Sequence, residues 1–154
     1  ILELLNPYPK DYSIDAKSFV QPRPGEDVIS IGYPGIGLTY DLPTITQGIV
    51  SKVFDDKEGV FLTTTNINSG NSGGPIINLN GEVVGVSAAA LNKLAVTLVT
   101  GNIPTSMGVA IKSNMLKEVF EYERTVTTNK AKDKASIYQE MLPKIVFVAI
   151  EKDQ

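Results

Sequence analysis

Short apolar, β-branched runs recur along the chain between residues 27 and 112, and each is bounded by Gly, Pro, Asn or Asp. This pattern is typical of β-strands that end in turns. The predicted strands are Asp27 to Tyr33, Thr44 to Phe54, Val60 to Thr65, Pro75 to Leu79, Glu82 to Ala90 and Met107 to Lys112. Because glycines inside strands permit sharp bends, Gly32, Gly48 and Gly85 favour closure of the sheet. The pattern predicts an all-β fold, a six-stranded antiparallel barrel.

Two turn signals connect neighbouring strands of this predicted barrel. Asn80-Gly81 separates two apolar runs, and both of its residues tolerate positive φ, which is typical of a tight hairpin. The acidic segment Asp55 to Gly59 predicts a second, longer hairpin. Both connections favour antiparallel pairing.

The periodicity changes after the last predicted strand. Ser113 to Tyr122 has a largely one-sided apolar stripe that predicts a helix closing the barrel, with Ser113 or Asn114 as its N-cap. A polar, lysine-rich stretch follows, and then a short helix is predicted up to Met141. The run Lys144 to Ile150 is apolar without alternation, so it predicts a strand that must be covered on both faces.

Composition limits the chemistry of the chain. It has 154 residues, of which 42% are hydrophobic, and this suits one packed domain with extra segments. A net charge of −3 without a basic stripe gives no reason to expect nucleic acid or a membrane as a partner. Without cysteine there is no disulfide, thiol catalysis or cysteine-bound zinc, and without histidine the usual general base is missing.

The segment Gly70 to Pro75 is the strongest candidate site. Its serine, Ser72, is enclosed by glycines that permit a tight turn and leave the approach open. Acyl transfer needs a nucleophile at such a corner and two N–H groups aimed at the developing oxyanion. Ser72 would supply Oγ, and the N–H groups of Gly70 and Ser72 would bind the oxyanion. The alternative is a glycine-rich turn that holds an incidental serine.

Two other groups of residues are weaker candidates for a functional site. Asp55, Asp56 and Glu58 could form a metal site, but a hairpin tip is usually acidic because it is solvated, so no metal or other cofactor is predicted. Lys93 or Lys112 could serve Ser72 as a base, since serine–lysine dyads exist. We expect both lysines to be exposed instead.

Gly70 to Pro75 resembles the nucleophile motif of trypsin-like, double-barrel serine proteases, and Asn71 before the serine is similar to the HtrA/Deg branch. Four further segments resemble that branch in unbroken order: Ile29 to Gly37, Thr46 to Ser51, Gly81 to Ser87 and Gly108 to Asn114. The resemblance implies a serine endopeptidase with a polypeptide substrate. It also implies a periplasmic or secreted location if the protein is bacterial.

The resemblance assigns roles to individual residues. Ser72 corresponds to the nucleophile, and Gly70 and Ser72 to the oxyanion-hole donors. The substrate-binding residues are expected to be Asn66, Ile67, Asn68, Ser87, Ala88 and Ala89. Ser87 to Ala89 would pair with an extended substrate as an added strand. Ordinary close packing in a barrel strand is the alternative explanation of these alanines.

The family's histidine and aspartate come from a first barrel, which precedes this one. Residues 1–6 look like its last strand, residues 7–25 like the linker, 26–124 like the second barrel, and 125–154 form a tail. Either Ile1 stands at the aspartate's place, or the aspartate lies upstream. Asn71 cannot form the ion pair that activates digestive zymogens.

We therefore expect an N-terminal half-barrel as partner and little activity from this chain alone. Two other hypotheses are a catalytically dead barrel that binds peptides or proteins, and a tail that mediates homo-oligomer assembly.

Overall fold

The computed structural model describes residues 14, 18–34, 42–88, 107–118 and 130–146. Within these ranges the strands are β1 Asp27–Gly32, β2 Thr44–Val53, β3 Val60–Thr63, β4 Pro75–Asn78, β5 Val83–Ser87 and β6 Gly108–Lys112. They form a closed antiparallel barrel in the order β1-β2-β3-β6-β5-β4. The predicted all-β class and six-stranded barrel are confirmed. The observed strands are slightly shorter than the predicted ones.

Each strand contributes one side chain to the buried interior of the barrel. The six are Val28, Val50, Phe61, Ile76, Val84 and Ala110, and none is more than 1% exposed. Because successive side chains of a strand point to opposite faces, these six residues mark the inward face of each strand. Burial of each of the larger members stabilises the fold by about 1.5–3 kcal/mol.

The β4–β5 hairpin has a different turn from the predicted one. Gly81 has a φ of 81°, but Asn80 has no positive φ. Gly81 N–H donates to the Asn78 carbonyl at 3.0 Å, and Asn78 N–H donates to Glu82 at 2.9 Å. This is a three-residue loop with a type I turn and a glycine bulge, which needs only one residue in the left-handed region.

The same end of the barrel is also held by Lys112, which we expected to be exposed. That expectation is wrong, because its side chain is only 2% exposed. Its ammonium group donates to the Phe54 and Asp55 carbonyls and, at 3.2 Å, to the Asp56 carboxylate. An ammonium group has three donors, so Lys112 has none left for Ser72. Lys93 lies outside the described residues.

The acidic hairpin after β2 is a solvated turn. Asp55 accepts a hydrogen bond from Lys57 N–H at 2.9 Å, and hydrogen bonding to Glu58 and then to Lys57 lowers the pKa of Asp55. The Asp56 side chain is 82% exposed. The described ranges contain no group of His, Cys, Asp or Glu that could hold a metal ion.

The segment after β6 is a 3-10 helix over Ser113–Glu118 and not the start of an α-helix. Its first hydroxyl does not cap the helix, because Ser113 Oγ donates to the Val20 carbonyl. The rest of the predicted closing helix, residues 119–122, lies outside the described residues.

The tail contains the predicted short helix, α1 Lys134–Met141. Asp133 caps it by accepting from Ser136 N–H at 3.0 Å, and hydrogen bonds from the Ser136 side chain and backbone lower the pKa of Asp133. None of the described helices is long and apolar enough to cross a bilayer.

The tail covers one outer face of the barrel. Ile137, Met141 and Ile145 pack there, and the barrel residues beneath them are Ile29, Ile31, Ile77 and Val83. The strand predicted to begin at Lys144 is wrong at its start, because Leu142–Lys144 is a 3-10 helix and Ile145 and Val146 are not in a strand. Pro143 lies in the first turn of this helix, where the fixed φ of proline is favourable. Residues 147–150 lie outside the described ranges.

Residues 1–13, with the proposed strand remnant, also lie outside the described ranges. Within the proposed linker, Phe19 forms a parallel bridge with Val83, and Val20 N–H donates to the Val83 carbonyl at 3.0 Å. The end of this segment is therefore attached to β5.

Candidate active site

Ser72 lies at the corner of the second of two consecutive turns between β3 and β4. Asn71 N–H donates to the Asn68 carbonyl at 3.0 Å, and Gly74 N–H donates to the Asn71 carbonyl at 3.0 Å. The third residue of each turn is a glycine with positive φ, 97° at Gly70 and 84° at Gly73. Positive φ at this position is typical of type II turns. The two turns share Asn71, and Ser72 is exposed.

The end of β1 supports the first turn. Tyr33 N–H donates to the Gly70 carbonyl at 3.1 Å. A Cβ atom at Gly70 would lie 1.9 Å from the Tyr33 carbonyl oxygen, and real Cβ atoms do not approach that closely. Only glycine therefore fits between the turn and β1.

The N–H groups of the two turns fall into two sets. Those of Asn71, Gly73 and Gly74 are all hydrogen-bonded to backbone carbonyls. Those of Gly70 and Ser72 donate to no oxygen of the described residues. Backbone N–H groups normally find a partner in protein, water or a ligand. The N–H groups of Gly70 and Ser72, on either side of Asn71, are therefore available to water or to a ligand.

Asn66, Ile67 and Asn68, which the sequence predicts to bind the substrate, lie in the loop that leads into these turns. The Asn66 carbonyl accepts from the Asn71 side-chain amide at 3.2 Å. Asn66 and Asn68 are exposed. Ile67 is half-buried against the interior cluster and lies directly over Gly108.

Ser87 lies behind the turn that carries Ser72. It is 2% exposed, and its hydroxyl donates to the Asn71 carbonyl and, at 3.1 Å, to the Gly74 carbonyl. Its N–H donates to Gly74 at 2.8 Å, and its carbonyl accepts from Gly73 at 2.9 Å. Since the Ser87 N–H is already used, Ser87 cannot donate it to a substrate strand.

The other two members of the predicted substrate strand follow Ser87. Ala88 is 9% exposed, and its N–H donates to the Val109 carbonyl at 3.0 Å. Ala89 lies outside the described residues. The N–H groups of Ser87 and Ala88 are therefore both used within the barrel.

A cleft of about 520 Å³ opens beside Ser72. Tyr33 and Phe19 line it, together with the tail residues Lys144, Ile145 and Val146. Tyr33 Oη donates to the Ile145 carbonyl at 3.3 Å. Sequence reasoning did not place the tail here. The one available signal was that the apolar run after Pro143 needed a covering surface.

No described side chain hydrogen-bonds to the Ser72 hydroxyl, and the chain contains no histidine. Among the described residues, the structure thus combines an exposed serine with two available N–H groups but with no base for the hydroxyl. A barrel with this turn is the arrangement expected of a trypsin-like peptidase.

The family model for the trypsin-like peptidase domain matches residues 7–86, which is just over half of the chain. The chain belongs to this family. The matched region includes Ser72 and ends before Ala88, β6 and the tail.

Two curated relatives are of the HtrA/Deg type, which confirms that resemblance. The periplasmic serine endoprotease DegP of Salmonella typhimurium is 38% identical over 104 residues, covering 63% of this chain and 19% of that protein. The serine protease Do-like HtrB of Bacillus subtilis is 36% identical over 111 residues, covering 66% of this chain and 22% of that protein. The chain thus spans about a fifth of the length of these relatives.

A crystal structure of the serine endoprotease from Yersinia pestis is also similar. It is 31% identical, with a TM-score of 0.47, and the match covers 65% of this chain and 31% of that one.

Proposed function

We propose that this chain carries the nucleophile, the oxyanion hole and the specificity pocket of an HtrA-like serine endopeptidase. The observation that carries the proposal is the exposed Ser72 in the second of two consecutive turns, with the N–H groups of Gly70 and Ser72 unused by the described residues. The names of the relatives, which are serine proteases, support the same reaction class.

The proposed reaction is acyl transfer. Ser72 Oγ attacks the carbonyl carbon of the scissile peptide bond and gives its proton to a base. The carbonyl oxygen becomes an oxyanion and accepts hydrogen bonds from the two N–H groups. The C–N bond then breaks, the amine leaves with the proton, and water hydrolyses the acyl-enzyme.

The base is proposed to lie outside this chain. A histidine oriented by an aspartate on an N-terminal half-barrel would complete the site, because the chain itself has no histidine. By this proposal the isolated chain is nearly inert, since its serine hydroxyl stays protonated.

The pocket proposed for the residue before the scissile bond carries no charge. Its residues are Asn66, Ile67, Asn68, Ser87, Ala88 and Ala89. Ile67 and Ala88 supply apolar surface, while Ser87 shapes the pocket from behind through its bonds to Gly73 and Gly74.

We expect the full-length protein to cleave after small or medium apolar residues, because no residue of the pocket can pair with a substrate charge. Cleavage-site profiling with a peptide library measures this preference. Selection of Arg or Lys would contradict the assigned pocket but not the proposal of a peptidase.

The second candidate function is a catalytically dead barrel that binds peptides. The lack of histidine in the chain favours it, and binding of peptides without any cleavage would support it.

A further inference from the structure

Asn71 connects the nucleophile turn to the pocket loop through its side chain. The residue is 2% exposed, and its Nδ2 donates to the Asn66 carbonyl at 3.2 Å. Asn66 begins the loop of pocket residues, and Ser72 directly follows Asn71. A single buried amide therefore links both parts of the proposed site.

The backbone of Asn71 takes part in both turns. Its N–H donates to Asn68, and its carbonyl accepts from Gly74 N–H and from the Ser87 hydroxyl. A movement of Asn71 would therefore displace both turns together. Its side chain, by contrast, makes its described hydrogen bond to the pocket loop alone.

The orientation of the amide follows from its surroundings. A carbonyl oxygen can only accept, so the group that faces Asn66 must be the NH₂ and not the oxygen. Asn71 Oδ1 is buried and has no hydrogen-bond partner among the described residues. It lies over Gly32, where a Cβ atom would be 2.8 Å from it. A carboxylate in this place would set an oxygen against the Asn66 carbonyl and bury a charge without a partner.

We infer that Asn71 is a positioning residue, whose amide donor holds the pocket loop at a set distance from Ser72. This inference rests on the proposed function for its catalytic meaning, but the hydrogen bond can be tested without catalysis. This role needs only a neutral hydrogen-bond donor at residue 71. It does not need the ion pair with a freed N-terminus that activates digestive zymogens.

The test is Asn71→Asp in this chain, followed by urea unfolding between pH 4 and pH 7. A protonated aspartic acid can donate to the Asn66 carbonyl, whereas a carboxylate cannot. Burial and this bond both favour the protonated form, so the folded-state pKa of the new carboxyl lies above its unfolded value of about 3.9. Stability is therefore retained at low pH and lost as the pH rises through the folded-state pKa.

We expect the unfolding equilibrium constant, relative to wild type, to rise by about 40-fold from pH 4 to pH 7, which corresponds to a carboxyl pKa about two units higher in the folded state than in the unfolded state. Ser69→Asp is the matched control, because it adds the same charge at an exposed position two residues away. It should show no such rise. If the unfolding equilibrium constant of Asn71→Asp relative to wild type does not change with pH, the inference is overturned.

Two NMR measurements separate positioning from general destabilisation. In Asn71→Asp, the backbone amide chemical shifts of Gly70 and Ser72 should change with pH. The midpoint of that change should equal the midpoint of the pH dependence of the free energy of unfolding. In the wild-type chain, the Asn71 side-chain N–H should be protected from exchange and show a scalar coupling to the Asn66 carbonyl. If the variant does not fold, an unprotected wild-type amide still overturns the inference. Neither measurement depends on whether the protein is a peptidase.

Discussion

Replacing Ser72 with alanine in the full-length protein is expected to lower kcat/KM for peptide hydrolysis by a factor on the order of 10⁴–10⁶. The proposed mechanism requires the Ser72 hydroxyl for the covalent intermediate, and the remaining N–H groups and binding contacts supply only a residual rate. Steady-state kinetics on a peptide with an apolar residue before the scissile bond measures the loss.

Ser69→Ala is the matched control for this prediction. Ser69 is exposed in the same loop, and no role in the reaction is assigned to it. We expect its kcat/KM to remain within a few-fold of wild type. Ser87 is not an alternative nucleophile, because it is buried and its hydroxyl donates hydrogen bonds to two backbone carbonyls. Hydrolysis that survives in Ser72→Ala would show that the nucleophile lies elsewhere.

Gly70→Ala is expected to destabilise the chain by about 3 kcal/mol or more. A non-glycine residue at positive φ costs about 1–2 kcal/mol. The new Cβ atom would also meet the Tyr33 carbonyl oxygen at 1.9 Å. The turn must therefore move away from β1, which breaks the hydrogen bond between Tyr33 N–H and Gly70, worth about 1 kcal/mol.

The matched variant is Gly73→Ala, because Gly73 also has positive φ but no atom of the described residues lies within 4 Å of its Cβ position. Its free energy of unfolding should fall only by the cost of positive φ at a non-glycine residue, about 1–2 kcal/mol. Urea unfolding of both variants gives the comparison. Equal losses in the two variants would mean that the contact with Tyr33 does not constrain the turn.

The barrel could be predicted from the sequence because its signals are local. Each strand is a short β-branched run ended by turn residues. The β4–β5 turn was placed correctly but given the wrong type. Asn80-Gly81 suits several hairpin turns, and the φ of Asn80 decides among them.

The errors concern side chains whose partners are distant in sequence. Lys112 is buried because the carbonyls of Phe54 and Asp55 face it from another hairpin. Ser113 does not cap the helix because its hydroxyl donates to the Val20 carbonyl instead. Neither partner can be identified from the residues next to these side chains.

For the candidate site, the sequence pointed to Ser72 because glycines around a serine predict a turn by local rules. It did not reveal that Ser87 lies behind this turn or that Asn71 links it to Asn66, since both contacts cross the fold. The place of the tail beside the cleft was missed for the same reason.

The most direct test of the central claim is the reaction of Ser72 with a fluorophosphonate, measured by intact-protein mass spectrometry. The account predicts rapid labelling of Ser72 in the full-length protein with its upstream half, and almost none in this chain alone, because only the former supplies a base for the hydroxyl. Rapid labelling of Ser72 in the isolated chain would contradict the account.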